Sequence, residues 1–154
     1  MFKMRTLQAA LAAFVVMFLV SWLLFGVIFA GPIRSLQDPG LLTIIGDTIN
    51  MPVLMLSYLV LALMMAFIFR FGYEGKSPTA EGIRFGVFVW LLVSVAQYLA
   101  WVAWGMMSWG LFLLNIVLYL IQFILGGLVI GLILGRPGAP AVAATEGITP
   151  TPAV

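Results

Sequence analysis

Three long stretches of the chain are strongly apolar and carry no charged side chain. They cover residues 6–33, 48–69 and 85–135, and short segments with charged residues separate them. A helix needs roughly 20 apolar residues to cross the hydrocarbon core of a bilayer, which is about 30 Å thick. The first two stretches therefore hold one span each, and the longer third stretch holds two. The pattern predicts an all-α integral membrane protein, a four-transmembrane-helix bundle.

The predicted spans lie at residues 7–30, 51–69, 83–105 and 109–135. They form a single membrane domain over residues 1–136. A tight connection joins the third span to the fourth, so these two helices run antiparallel as neighbours. Residues 137–154 are rich in proline and small side chains, which cannot build a core, and we expect a disordered cytoplasmic tail.

Composition narrows the classes of function. The chain is 64% hydrophobic and 8% charged, with a mean hydropathy of +1.22, values outside the range of soluble domains. It has no cysteine and no histidine, which removes thiolate chemistry and the commonest metal ligand. We therefore predict no catalytic residue, no cofactor and no metal site.

The few basic residues indicate how the chain is oriented. Two precede the first span, three lie between the second and third spans, and Arg136 follows the fourth, whereas Arg34 alone lies in the first connection. Loops rich in Lys and Arg stay in the cytoplasm. The sequence thus predicts an inner (plasma) membrane protein with both termini cytoplasmic, and its basic residues are explained by topology without a nucleic-acid partner.

The first outer connection, residues 31–50, is rich in leucine and isoleucine. Asp38 followed by Pro39 is typical of a helix start, which predicts a short helix lying in the outer interface. Three interpretations of Asp38 and Asp47 are open, and one of them is a mouth that attracts solutes. In the other two, they form a cation site with nearby carbonyl groups, or they cap helices and compensate helix dipoles, and we favour capping.

The connection between the second and third spans is the most polar segment of the membrane domain. Ser77 and Pro78 are typical of a helix start, and Glu81 and Arg84 can pair on one helical face. The segment predicts a rigid inner hairpin or, as the alternative, a docking site for a cytoplasmic partner or an anionic lipid head. Its charged residues are Arg70, Glu74, Lys76, Glu81 and Arg84.

The same connection carries a resemblance. The segment from Tyr73-Glu74-Gly75 to Glu81-Gly82-Ile83-Arg84-Phe85-Gly86 resembles a hairpin of small uncharacterised four-span bacterial inner-membrane proteins. The resemblance implies a location in the inner membrane and no particular activity.

Neutral polar side chains recur on one face of each of the last two spans. At 100° per residue, Ser94, Gln97 and Tyr98 share a sector of the third span. On the fourth span Asn115, Tyr119 and Gln122 do the same. Two interpretations are open, a hydrogen-bonded seam between the helices or a polar cavity or lipid-headgroup pocket within the bundle.

A second face of the fourth span carries Gly127, Gly131 and Gly135 at steps of four residues. Small residues at this spacing let two membrane helices approach closely. This face could close the bundle itself or could join a second subunit.

These features favour a non-enzymatic membrane protein, an accessory, scaffold or assembly component that acts through helix packing. The alternative is a small channel or transporter for a neutral or amphipathic solute, working as a homo-oligomer. An enzyme ranks third, because the acidic residues lie in connections without a histidine or cysteine beside them. Expected partners are the bilayer and either further copies of the chain or another membrane subunit.

Overall fold

The computed structural model describes residues 4–36 and 50–135. Helices form almost all of this part of the chain, and we number them in chain order. They are α1 Met4–Ile28, α2 Ala30–Leu36, α3 Met51–Gly72, α4 Pro78–Ala103 and α5 Trp109–Leu134. Two of them contain a wider, π-helical stretch, Trp22–Ile28 in α1 and Leu91–Val95 in α4.

Four of these helices, α1, α3, α4 and α5, are long and apolar enough to cross a membrane. This confirms the prediction of an all-helical protein with four helices that could each span a membrane. Each observed helix overlaps one predicted span. The main differences are at the charged ends: α1 begins three residues earlier than predicted, and α4 begins at Pro78 rather than at residue 83. Charged ends of a helix can extend beyond the hydrocarbon core, so hydropathy alone underestimates helix length.

Short polar side chains define where the helices start. The Asn50 side chain accepts a hydrogen bond from the Val53 amide at 3.2 Å, and the Ser108 hydroxyl accepts one from the Leu111 amide at 3.2 Å. Ser77 occupies the corresponding position before α4 but makes no side-chain cap bond, and Pro78 in the first turn removes an amide N–H instead. These residues satisfy or remove amide groups that the first turn of a helix leaves without partners.

The centre of the bundle is formed by α1 and α5. Helix α5 packs along both α4 and α1, and α1 packs along α3 on its other side. Helix α1 can lie close to two neighbours because its buried face consists largely of alanine, with Ala9, Ala10 and Ala13 fully buried. Helices α3 and α4 meet near their short connection, where the Phe69 and Phe85 rings are 5.3 Å apart.

Several predictions fall on the rest of the chain. The interfacial helix starting at Asp38, the candidate residue Asp47, Arg136 and the tail 137–154 lie outside the described residues. The described part of the first connection is α2, which is tied to the start of α5 by a hydrogen bond. In that bond the Ser108 hydroxyl donates to the Leu36 carbonyl at 3.2 Å.

Candidate functional site

All four spanning helices contribute one hydroxyl-bearing side chain to a common cluster, which we call the hydroxyl cluster. Its members are Ser21 of α1, Tyr58 of α3, Tyr98 of α4 and Tyr119 of α5. The Ser21 and Tyr58 oxygens are 2.7 Å apart, and the Tyr119 hydroxyl interacts with those of Tyr98 and Tyr58. The Tyr98 and Tyr119 rings also pack together at 5.4 Å. A polar contact that needs all four helices helps to specify one arrangement of the bundle.

Three further polar side chains are buried beside α5 without a hydrogen-bond partner in the described structure. They are Ser94, Asn115 and Gln122, with exposed fractions of 3%, 8% and 0%. Both polar atoms of Gln122 are unpaired, and no described group bonds Ser94 or Asn115. We call these residues the unpaired trio. Buried polar groups are normally hydrogen-bonded, and the buried Thr6 hydroxyl of α1 is a fourth exception in the described residues.

The wide stretch of α4 places Ser94 on the face that looks toward α5. On either side of it, the Trp90 indole N–H donates to the Ile116 carbonyl at 2.9 Å, and Tyr98 packs on Tyr119. In α1 the other wide stretch supplies Phe25, whose ring lies 4.9 Å from that of Tyr119. Such π-helical stretches are rare in proteins, and those that occur often lie at functional sites.

The first half of α4 packs against α5 through glycines. A Cβ atom added to Gly82 would lie 2.6 Å from the Gly127 carbonyl oxygen, and one added to Gly131 would lie 2.9 Å from the Gly82 Cα. Gly86 approaches Gly127 in the same way. The predicted glycine face, Gly127, Gly131 and Gly135, is therefore turned toward α4 of the same chain, where Gly135 faces Pro78.

The contact between α4 and α5 changes character along its length. The backbones are close over Pro78–Trp90, and close approaches become few beyond the wide stretch, where aromatic side chains fill the space. Tyr98 and Tyr119 of the hydroxyl cluster lie in this wider half of the seam. Gln122 instead lies beside the close half, because the carbonyl of its neighbour Phe123 lies against Gly86. On α5 the six residues from Trp109 to Asn115 correspond to about 9 Å, and the thirteen to Gln122 to about 20 Å.

Gln97 does not join the other predicted polar residues. Its side chain is exposed on the outer surface of α4, as are those of Val93 and Trp101 one turn before and after it. The polar face predicted for α4 thus divides in the structure. Ser94 and Tyr98 turn toward α5, and Gln97 turns away from the bundle.

The connection between α3 and α4 is held by its two glutamates. The buried Glu81 carboxylate, 5% exposed, accepts hydrogen bonds from the backbone amides of Glu74 at 2.8 Å and Lys76 at 2.7 Å. Arg84 pairs with Glu74 at 2.9 Å rather than with Glu81, the partner its spacing suggested. Because Glu81 is occupied by the backbone, Glu74 is the carboxylate left for the basic side chains.

Among the predicted docking residues, Glu74 is the centre of an exposed ion cluster. Its carboxylate binds the Lys76 ammonium at 2.7 Å as well as Arg84. The hydrogen bond from Lys76, then that from Arg84, and the two positive charges lower the pKa of Glu74 from 4.5 to about 2. Arg70 is also exposed, at the end of α3. This surface therefore carries both positive and negative side chains, and its exposed carboxylate, Glu74, is already ion-paired.

No protein-family model, curated protein or solved structure matches this chain. Its candidate chemistry therefore has to be argued from the side chains themselves.

The side chains inside the bundle are neutral hydrogen-bonding groups. No group of three His, Cys, Asp or Glu residues that could hold a metal ion is present in residues 4–36 and 50–135. The hydroxyl cluster and the unpaired trio can donate and accept hydrogen bonds without adding charge. This arrangement suits binding of an uncharged molecule better than acid, base or nucleophilic chemistry.

Sequence reasoning missed two components of this region. Ser21 and Tyr58 lie in largely apolar spans, and only the pairing of α1 with α3 brings them together. Gly82 and Gly86 were overlooked because they follow a charged connection, although their four-residue spacing is the signal already used for the glycines of α5. That spacing, read on both helices, would have predicted the contact.

Proposed function

We propose that this protein is a non-enzymatic component of the inner membrane that associates laterally with another membrane-spanning helix. The observation that carries the proposal is the exposed Gln97 side chain on the outer surface of α4. Six residues separate Gln97 from the end of α4 at Ala103, which is about 9 Å along the helix. This distance supports a position of the amide at the depth of the hydrocarbon rather than in water.

An amide exposed to lipid tails lacks the hydrogen bonds that water would give it. A polar side chain from a neighbouring helix can supply them, and such bonds contribute roughly 0.6 kcal/mol each in membrane proteins. Val93 and Trp101, exposed on the same face, add apolar contact area around the amide. The glycines of α5 already have a partner in α4, so association would use the outer face of α4 instead.

Native mass spectrometry of the protein extracted with its lipids tests this proposal. We expect a stoichiometric foreign subunit that is lost in Gln97→Leu and retained in Gln8→Leu. Gln8 is a matched control because it is also exposed but lies only about 6 Å from the start of α1, near the headgroups. A homo-oligomer sensitive to Gln97→Leu would identify the partner as a second copy. A monomer with unchanged lipids in all three proteins would contradict lateral association.

The passage of a neutral or amphipathic solute is a second candidate function, supported by the unpaired trio inside the bundle. Uptake of a neutral solute such as glycerol into proteoliposomes distinguishes this transport candidate from lateral association. Transport through the bundle predicts reduced flux in Asn115→Leu and normal flux in Gln97→Leu, because only Asn115 lies inside. Flux equal to that of protein-free liposomes would remove this candidate.

We further propose that both termini and the connection between α3 and α4 face the cytoplasm. The support is the concentration of basic residues in those segments and the resemblance of the hairpin. Because the chain has no cysteine, single cysteines introduced at Lys76 and at Ser108 can be labelled from either side without background. Labelling of Lys76→Cys by an impermeant reagent added outside intact cells would reverse the proposed orientation.

A further inference from the structure

We infer that the second half of α4, Ala96–Ala103, is a movable arm that swings away from α5 about the π-helical stretch Leu91–Val95, with Tyr98 as the contact that holds it closed. We call this segment the α4 arm. In the closed position, which the structure shows, Tyr98 packs on Tyr119. In the open position this contact is broken, and the hydroxyl cluster faces the bilayer between α4 and α5.

The first step is the contrast in packing between the two halves of α4. In the first half, Gly82 and Gly86 are buried against the backbone of α5, and neither position has room for a Cβ atom. In the α4 arm no residue is buried, and its half-buried residues are Tyr98, Ala100 and Val102. Segments with few buried contacts open at a lower free-energy cost than the packed parts of the same protein. The arm can therefore move while the first half of the helix stays in place.

The second step is that points of bending lie at both ends of the arm. Before it, the helix widens into the π-helical stretch Leu91–Val95, and such stretches are among the few places where helices bend sharply. After it, the chain turns through Gly105, whose φ of +72° lies in the left-handed region. Glycine leaves the backbone of this turn free to change its angles. A short helix between two such points can change its direction without disturbing the glycine contact.

The third step is how the arm is held against α5. In the described part of the chain, Tyr98 is the arm residue whose ring contacts α5, at 5.4 Å from the ring of Tyr119, and the two hydroxyl groups interact. The hydrogen bond from the Trp90 indole to the Ile116 carbonyl lies before the π-helical stretch, so it does not hold the arm. The corresponding stretch of α1 is followed by α2, which the hydrogen bond from Ser108 ties to α5, so α1 has no comparable arm.

Movement of the arm has a consequence for Gln97. This residue directly precedes Tyr98, and its side chain is turned away from the bundle. Because both side chains belong to one short helix, a partner helix bound at Gln97 would move together with Tyr98 and could shift the balance between the closed and open positions. The arm needs no partner for its movement, so failure of lateral association would leave this inference intact.

Distances between pairs of nitroxide labels on the full-length protein in lipid nanodiscs test the movement. The chain has no cysteine, so labels can be placed at exposed positions through Leu99→Cys in the arm, Phe88→Cys in the first half of α4 and Val15→Cys on α1 as the common reference. Pulsed EPR of the pair at positions 99 and 15 should give two distances, closed and open. The pair at positions 88 and 15 should give one distance, because the glycine contact holds that half of α4.

Tyr98→Phe tests the contact that holds the arm closed, because it keeps the ring and removes the hydroxyl. The ratio of open to closed arm should rise roughly threefold, the change that corresponds to loss of one average hydrogen bond between membrane helices. Tyr73→Phe is the matched control and should leave the ratio unchanged, since the Tyr73 hydroxyl bonds the Lys76 carbonyl in the connection between α3 and α4. Protein labelled at position 99 alone reveals any distance between subunits, so lateral association is recognised separately.

The outcomes that would overturn the inference are distinct. A single narrow distance for the pair at positions 99 and 15, in both the unaltered chain and Tyr98→Phe, would show that the arm is fixed. Equal broadening of the pair at positions 88 and 15 would show that the whole bundle is loose. Two distances whose ratio Tyr98→Phe leaves unchanged would overturn the role of Tyr98. If Tyr98→Phe does not fold, the two label pairs in the otherwise unaltered chain still decide whether the arm moves.

Discussion

The hydroxyl oxygens of Ser21 and Tyr58 lie 2.7 Å apart although the two residues are 37 positions apart in the sequence. Each lies in a different spanning helix that is largely apolar. Their bond fixes how α1 and α3 are aligned, because a shift by one turn, about 5.4 Å, would separate the two oxygens. Through Tyr58 and Tyr119 the same alignment extends to α5.

The first prediction concerns the strength of this bond. Ser21→Ala and Tyr58→Phe should each destabilise the protein, and the double variant should be less damaging than their sum by roughly 0.6 kcal/mol, the mean for such bonds in membranes. Unfolding in mixed micelles gives the four free energies required.

Ser57→Ala is the matched control for that cycle. Ser57 is exposed and bonds only the Leu54 carbonyl of its own helix, so it should show no coupling to Ser21. Strictly additive effects of Ser21→Ala and Tyr58→Phe would show that the bond makes no contribution to the folded state.

The second prediction concerns the glycine contact between α4 and α5. Alanine at Gly82 would place its Cβ 2.6 Å from the Gly127 carbonyl, so one backbone must move. We expect Gly82→Ala to lower the free energy of unfolding by about 1–3 kcal/mol, the usual cost of overpacking.

Gly72→Ala is the control, because a Cβ at Gly72 meets nothing within 4 Å. Its effect should stay within about 0.5 kcal/mol, as for other substitutions away from packed regions. Equal stability of the Gly82→Ala and Gly72→Ala proteins would contradict the close approach of the two helices.

The third prediction concerns Glu81, which holds the connection between α3 and α4. Glu81→Ala removes the charged acceptor of the Glu74 and Lys76 amides, and a hydrogen bond to a charged group contributes about 1.5–3 kcal/mol. Thermal unfolding should therefore show a clear loss of stability, with faster hydrogen exchange at the Lys76 amide.

Arg84→Ala is the control for this substitution, since it removes a partner of Glu74 in an exposed ion pair. Exposed pairs contribute little, typically below about 1 kcal/mol. If Arg84→Ala proved more damaging than Glu81→Ala, the ion cluster rather than the buried carboxylate would hold the connection.

Hydropathy and the rule for helix starts accounted for most of the fold. Long apolar stretches without charged residues predicted the four spans, and Ser77 with Pro78 marked the start of α4. Those signals are local. The length of helix beyond the apolar core was underestimated, because polar end turns carry no hydropathy signal.

The candidate site was less accessible to sequence reasoning, because it depends on which faces of four helices meet. The 100° periodicity grouped Gln97 with Ser94 and Tyr98, yet the wide stretch at Leu91–Val95 changes the helical rotation just before it. No feature of the sequence predicts this π-helical stretch. Similarly, Glu81 and Arg84 have the spacing of a helical pair, but two free backbone amides compete for the Glu81 carboxylate.

The last prediction concerns the pH dependence of the ion cluster around Glu74. Because its pKa is lowered from 4.5 to about 2, folding favours the charged form of this carboxyl. Its contribution to stability is therefore complete above pH 4.5 and is lost as the pH falls toward 2. The carboxyl carbon of Glu74, followed by NMR in micelles, should titrate with a midpoint near the lower value. Lys76→Gln removes the largest cause of the lowered Glu74 pKa, so the midpoint should move up toward 4.5. A wild-type midpoint already at 4.5 would show that the cluster does not persist in solution.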